Sequence, residues 1–310
     1  MTTSGSTNFE LSRDEIVRQA ALLCRAVGAN ATMSSRLVTD FSIALNAMVK
    51  HWQGRGLHVW TVTEGVLFPV AGQTKYTTGA DHIAGTWYET TLSADEAAAQ
   101  TVLDATSTTN MTALDNIGIV LDDGTIHWTT IVSKTSSTVT ITAALPSAAA
   151  SGNKIFNYTT KMGKPLRVVD ARRRLIVDGT ETPIPVVSRQ EYRAIPNKTG
   201  AGTINQLHCD LQLSTGQFHL WQVPSLATDL VTFTWWRPIE DFDAGGDTPD
   251  LSQEWFMCLY YNLAAMMLPR FPVPPQDKRD IRETAAGLLF DMEGWGREAE
   301  SLFFQPATRR

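Results

Sequence analysis

The stretch Ser12-Arg-Asp-Glu15, followed at once by Ile16, Ala20, Leu23 and Val27, is where the reading of this 310-residue sequence begins. A Ser hydroxyl three residues before a Glu carboxylate is a capping box, because each side chain satisfies a backbone N–H that the first helical turn leaves free. Leu11 and Ile16 flank it as a hydrophobic staple, the apolar residues then recur at steps of four and three, and Gly28 supplies a stop. A second helix is predicted from Ser34 or Ser35, with Leu37, Phe41, Leu45, Met48 and Trp52 on one face and Gly54-Arg-Gly56 at its end. The same period returns at the far end of the chain. There Asp250, with Gln253 at the third position, is expected to cap a helix carrying Phe256, Leu259, Leu263 and Met266, which Pro269 ends. A proline-rich turn leads to a final helix with Ile281, Ala285, Leu288, Met292, Trp295, Ala299 and Leu302 on its seam. Neither terminal hairpin buries its stripe alone, so the two are expected to pack on each other.

From Leu57 to about Phe242 the apolar period changes to two and turn residues multiply, which reads as β structure. Asp122-Asp123-Gly124 and Asp178-Gly179 are hairpin signals between alternating strands. The stretch from Thr90 to Tyr158 is rich in Thr and Ala and nearly free of Lys and Arg, which marks it as an inserted β module. The expected fold class is therefore α+β: a discontinuous four-helix bundle formed by N- and C-terminal helical hairpins, with a large inserted antiparallel β region of sandwich or barrel type. The expected spans are 10–56 for the first half of the bundle, 57–89 and 159–246 for the β domain, 90–158 for the additional β module, 247–304 for the second half of the bundle and 305–310 for a C-terminal tail.

Composition narrows the function. With 43% hydrophobic and 19% charged residues, the chain is too apolar for a disordered protein. The net charge of −6 divides as +2 for residues 1–60, −6 for 61–160, +3 for 161–240 and −5 for 241–310, which argues against a tight nucleic-acid binder. Nine tryptophans among so few charges suggest surface meant for burial against partners. No run of about 18 apolar residues occurs, and the start lacks the basic flank and apolar stretch of a signal peptide, so a soluble, unexported chain is expected. Three widely spaced cysteines indicate neither a disulfide framework nor a zinc site, and a reducing cytosol is the default.

Signatures of catalysis are missing: there is no phosphate-binding glycine loop, no H-E-x-x-H and no G-x-S-x-G. The six histidines lack ligand spacing, and His208 and Cys209, adjacent on a strand, point to opposite faces. Asp241 to Asp247 starts like a calcium loop but has Gly245 at the fifth position and Ser252 at the twelfth, so it reads as a flexible acidic linker. Of Arg172, Arg173 and Arg174, the middle residue faces away from its neighbours and the three are not one patch. Trp235 and Trp236 split likewise, one into the core and one outward, which makes Trp236 and the following Arg237 a candidate tail-side or subunit interface. No catalytic residue, metal ligand or cofactor is predicted.

Several strings then coincide in order: Pro165-Leu-Arg-Val-Val169, Ser188-Arg-Gln-Glu-Tyr192 with Pro196-Asn-Lys198, Trp235-Trp-Arg-Pro238, Asp247-Thr-Pro-Asp250 leading to Glu254-Trp255, and Tyr261-Asn-Leu-Ala264. Together with the first hairpin, Ile16 through Trp60, they resemble the head-to-tail adaptor, or packaged-DNA stabilisation, proteins of short-tailed bacteriophages, relatives of tail tubular protein A. The resemblance spans about two-thirds of the chain, and 90–158 departs from the compact members. It implies a structural protein of the virion neck, assembled in the host cytoplasm as a ring, usually of twelve copies, beneath the portal protein. It further implies that the ring carries a downstream tail or nozzle protein and surrounds a DNA channel. On this reading acidic residues of 61–160 or of the last helix line the bore, Phe303 and Phe304 anchor in a groove of the portal or a neighbouring subunit, and Arg309 and Arg310 pair with its carboxylates. The rival expectations are a carbohydrate-binding tail component, favoured by the tryptophans, and a virion-associated hydrolase.

Overall fold

The computed structural model describes residues 5–56, 61–225 and 228–295. The chain is α+β with mostly antiparallel sheets, and it divides into two units: Met1–Thr61 with Pro238–Arg310, and Val62–Arg237.

The first unit is helical. Helices α1 (Arg13–Leu23) and α2 (Ser35–Arg55) come from the N-terminal segment; α4 (Trp255–Met267) and α5 (Pro275–Trp295) come from the C-terminal one, with the short α3 (Arg189–Ala194) belonging to the other unit. Both halves of the capping box form: Ser12 Oγ accepts from Glu15 N, and Glu15 Oε2 accepts from Ser12 N at 2.7 Å. Ser34 caps α2, and Gly56 closes it at φ 99°, a left-handed conformation that costs a glycine little. One apolar core draws on both ends of the chain, with Ile16, Phe41, Leu45, Leu259 and Leu263 all fully buried and Ile281, Leu288 and Met292 of α5 packed against it. Each such side chain contributes roughly 1.5–3 kcal/mol relative to exposure.

Four expectations are corrected here. Helix α1 stops at Leu23 rather than at Gly28; Arg25 takes the left-handed position (φ 52°), and its guanidinium forms an ion pair with Asp277 of α5. Asp250 does not cap α4, which begins after Glu254 without a side-chain cap; Asp250 Oδ2 instead accepts from Glu240 N, and Gln253 Oε1 accepts from Phe9 N. Met266 is half-exposed and Met267 occupies the core, because the apolar step from Leu263 is four residues and not three. The segment expected to be a flexible acidic linker is an ordered turn. Asp247 Oδ2 accepts from Asp243 N and Ala244 N, while the carbonyls of Gly245 and Asp247 accept from Asp14 N and Arg13 N, so the turn satisfies free donors of α1.

The second unit is β apart from α3. A five-stranded sheet runs β11 (Glu181–Ile184), β10 (Arg167–Leu175), β14 (Asp229–Trp236), β1 (Val62–Leu67), β3 (Ile83–Ala84), and a three-stranded one runs β12 (Gln206–Leu211), β13 (Gly216–Trp221), β2 (Lys75–Thr77). A parallel bridge between Val186 and Leu207 joins them into a half-barrel around Leu67, Tyr76, Phe218 and Phe233. The remaining strands form a curled six-stranded sheet, in the order β4 (Tyr88–Thr91), β9 (Lys154–Tyr158), β6 (Asn116–Val120), β7 (Ile126–Lys134), β8 (Thr138–Ile141), β5 (Val102–Asp104). Its two edges meet at the Leu92–Ala105 bridge, and the inner face buries Leu103, Ile117, Ile119, Ile131 and Ile155. The Asp122–Gly124 turn forms between β6 and β7 with Gly124 at φ 81°. Phe68, Ala84, Phe156, Tyr158 and Leu230 make a further buried cluster where the curled sheet and the half-barrel meet, with Trp87 and Trp128 packed on it.

Candidate interaction site

Strand β14 sorts the two tryptophans by alternation. Trp235 points inward, 5% exposed, and the absence of a side chain at Gly65 and Gly85 gives its ring room: a Cβ there would lie within 3.1 Å of it. Trp236 points outward, in register with Arg167 of β10 and Val62 of β1, and the Arg167 guanidinium sits 5.2 Å over its ring. Arg237 follows, half-buried, and neither Trp236 nor Arg237 is without a partner. The other predicted contact residues, Phe303, Phe304, Arg309 and Arg310, lie outside the described residues.

The face that carries Trp236 is polar at Asp170, Arg172, Thr232 and Thr234 and turns apolar at Val66 and Leu230, which are fully buried. Asp170 pairs across Thr234 with Glu64, and Arg172 across Thr232 with Val66. Arg172 reaches Glu181 at 3.6 Å, Asp170 accepts from Thr234 Oγ1 at 3.1 Å, and Arg173, on the opposite face, lies near Asp229. Next to this row is an open cleft of about 430 Å³ lined by Glu64, Trp87, Glu89, Arg174, Glu181 and Thr232. Arg174 is fixed in it by Glu89 at 2.8 Å and by stacking 5.3 Å from the Trp87 ring centroid. Glu89 also takes an ion pair from Lys154 of β9 at 2.7 Å. Burial pushes the Glu89 carboxyl up, but hydrogen bonds and charge from Lys154 and Arg174 pull it further down, so it stays below the usual carboxylate range. The arrangement can fix a rigid polar surface, and its cations are committed to carboxylates and aromatic rings.

Reactive chemistry is poorly served. Burial pushes the Cys24 thiol up to about 11 and those of Cys209 and Cys258 to about 12, the reverse of what a nucleophile needs. Among the described residues no three His, Cys, Asp or Glu side chains come together as a metal site, and no helix is long and apolar enough to cross a membrane.

Two histidine clusters escape a search for ligand spacing in the sequence. His82 stacks on Trp128 at 4.0 Å and shares a hydrogen bond of 2.6 Å between its Nδ1 and the Tyr158 hydroxyl. Burial, with Lys161 nearby, lowers it to about 4, so it is neutral at pH 7. His208 and His219 face each other across β12 and β13 beneath Tyr192. The second pair is set by the hairpin register: the Gln212–Thr215 turn, with Leu211 opposite Gly216, places position 208 opposite 219. No protein-family model matches this chain, and no curated protein matches it either.

Proposed function

We propose that this protein is a structural head-to-tail connector of a short-tailed bacteriophage virion, and not an enzyme. The observation that carries the reading is the helical unit assembled from both ends of the chain around one core, with the β unit inserted between them. On this reading α1, α2, α4 and α5 act as a four-helix bundle that docks on the portal, and the β unit carries the next tail component. The proposed assembly is a ring of about twelve copies around the DNA channel, formed in the host cytoplasm. An acidic lining suits a conduit, because like charges repel phosphate within a Debye length of about 8 Å.

A carbohydrate-binding role would call for open aromatic faces. Trp236 and Trp87 each carry a guanidinium over the ring, which does not favour it. The deciding experiment is electron microscopy of the purified chain alone and with the portal protein. Ring density of about twelve-fold symmetry that appears with the portal supports the connector; absence of any co-assembly refutes it, and saturable binding on a glycan array would replace it with the carbohydrate reading.

A further inference from the structure

Strand pairing sets His208 of β12 across from His219 of β13, and His219 across from Lys75 of β2. Leu207, Phe218 and Leu220, their neighbours along the strands, point into the half-barrel core, so these three side chains share the outward face. Tyr192 of α3 lies over both imidazoles, its ring centroid 5.1 Å from each, and the two imidazoles are 5.7 Å apart. Lys198, just beyond α3, stands 5.5 Å from the Tyr192 ring centroid. Val187 O lies 2.9 Å from His208 Nδ1; a carbonyl only accepts, so Nδ1 carries a hydrogen whether the ring is neutral or charged. Arg189, the first residue of α3, pairs with Asp210 of β12. Helix α3 buries none of its own residues, so ring stacking and the Arg189–Asp210 ion pair are its visible ties to the sheet, and just beyond the helix Trp221 Nε1 of β13 donates to Asn197 O at 2.9 Å.

We propose that the Tyr192–His208–His219 stack is an acid-released latch: it holds residues 188–198 on the β12–β13–β2 face while His219 is neutral and lets them go when His219 is charged. The charges around it have the right bias. Lys75 from β2, Lys198 after α3, and Arg189 and Arg193 on α3 are cations, whereas Asp210 is engaged by Arg189 and Glu191 by the Ser188 cap. A second imidazolium therefore meets another at short range with the nearby carboxylates already committed. Burial, with His208 and Lys75, holds His219 below its ordinary range and Asp210 opposes this only in part, which keeps the latch shut at neutral pH. The stack is an off-axis clasp: opening it frees a surface segment and leaves Leu207, Phe218 and Leu220 in the core.

Amide hydrogen exchange on the full chain at pH 7.5 and 5.0, corrected for intrinsic rates, tests this. Protection of residues 188–198 is expected to fall about tenfold more than that of β14, which reports on the same unit. His219→Gln, which cannot charge, is expected to keep that protection at pH 5.0, and Lys75→Gln, which removes a cation that disfavours His219 charging, to move release to higher pH. Equal loss in 188–198 and β14, or an unchanged local loss in His219→Gln, overturns the proposal. Should the variant fail to fold, ring titration of the wild-type chain by NMR decides: Tyr192 resonances that shift with the His219 titration support the latch, and Tyr192 resonances indifferent to it refute it.

Discussion

The helical and β units of this chain solve the backbone problem in opposite ways. In α1 and α2 most N–H groups bond within the helix, and the ends are closed by Ser12, Ser34 and Gly56, all within a few residues of what they cap. In the β unit no strand satisfies itself: β1 pairs with β14 across nearly the whole inserted sequence, and β4 with β9 across the other strands of the curled sheet. Yet tertiary closure is long-range in both, because the helical core joins residues 16–52 to 239–273. Local hydrogen bonding and non-local packing are therefore separable properties, and each unit can be weakened through one without the other.

The sharpest way to separate them is to empty one core at a time. Phe68→Ala, at the buried cluster beside the curled sheet, is expected to destabilise the β unit by about 3–5 kcal/mol, and Phe41→Ala to take a similar amount from the helical unit alone. Urea unfolding followed by hydrogen exchange in each unit checks this; two substitutions that lower both units equally would show a single cooperative body. Gly118→Ala should cost the β unit about 1–3 kcal/mol, since a Cβ there would lie 2.7 Å from the Trp128 ring, its cross-strand partner. Acid gives a third contrast. His82 is held at about 4 in the folded chain against 6.5 for an ordinary histidine, so the unfolded chain binds the extra proton between those values. That contribution is fully present above about pH 6.5 and is lost as pH falls toward 4, by roughly 1–2 kcal/mol after discounting for partial exposure. Urea midpoints of the β unit at pH 7.5, 6.0 and 5.0 measure it, and His82→Gln should flatten the profile. The smallest effect is Ser34→Ala, about 1 kcal/mol from the helical unit, read as a shift in its thermal midpoint with the β unit unmoved.

What could be read from residues alone follows the same division. The Ser12–Glu15 box, the Ser34 cap, the Gly56 stop and the Asp-Gly turns are local devices, and each takes the form its residues dictate. Gly28 and Asp250 mislead because tertiary partners outbid them: Asp277 accompanies a left-handed Arg25, and Glu240 N occupies the Asp250 carboxylate. The capping box Ser188–Glu191 lay unnoticed in a β-patterned region, although its residue types are those of Ser12–Glu15. Alternation alone placed Trp235 inward, Trp236 outward and Arg173 opposite Arg172. It could not bring Arg174 to Glu89 and Trp87, or His82 to Tyr158, since those contacts depend on how the curled sheet meets the half-barrel.

Val62, where the β unit starts, is the direct cross-strand partner of Trp236, one residue before it ends. Directly opposed residues in an antiparallel pair are about 4.5–5.5 Å apart at Cα. The insertion thus leaves where it enters, like a cassette with both leads at one edge. A graft that deletes residues 62–236 has to bridge only the span of a tight two-residue connection, so the helical unit is the part of this protein most directly obtainable by excision, and the β unit the part most directly transplanted into another host loop.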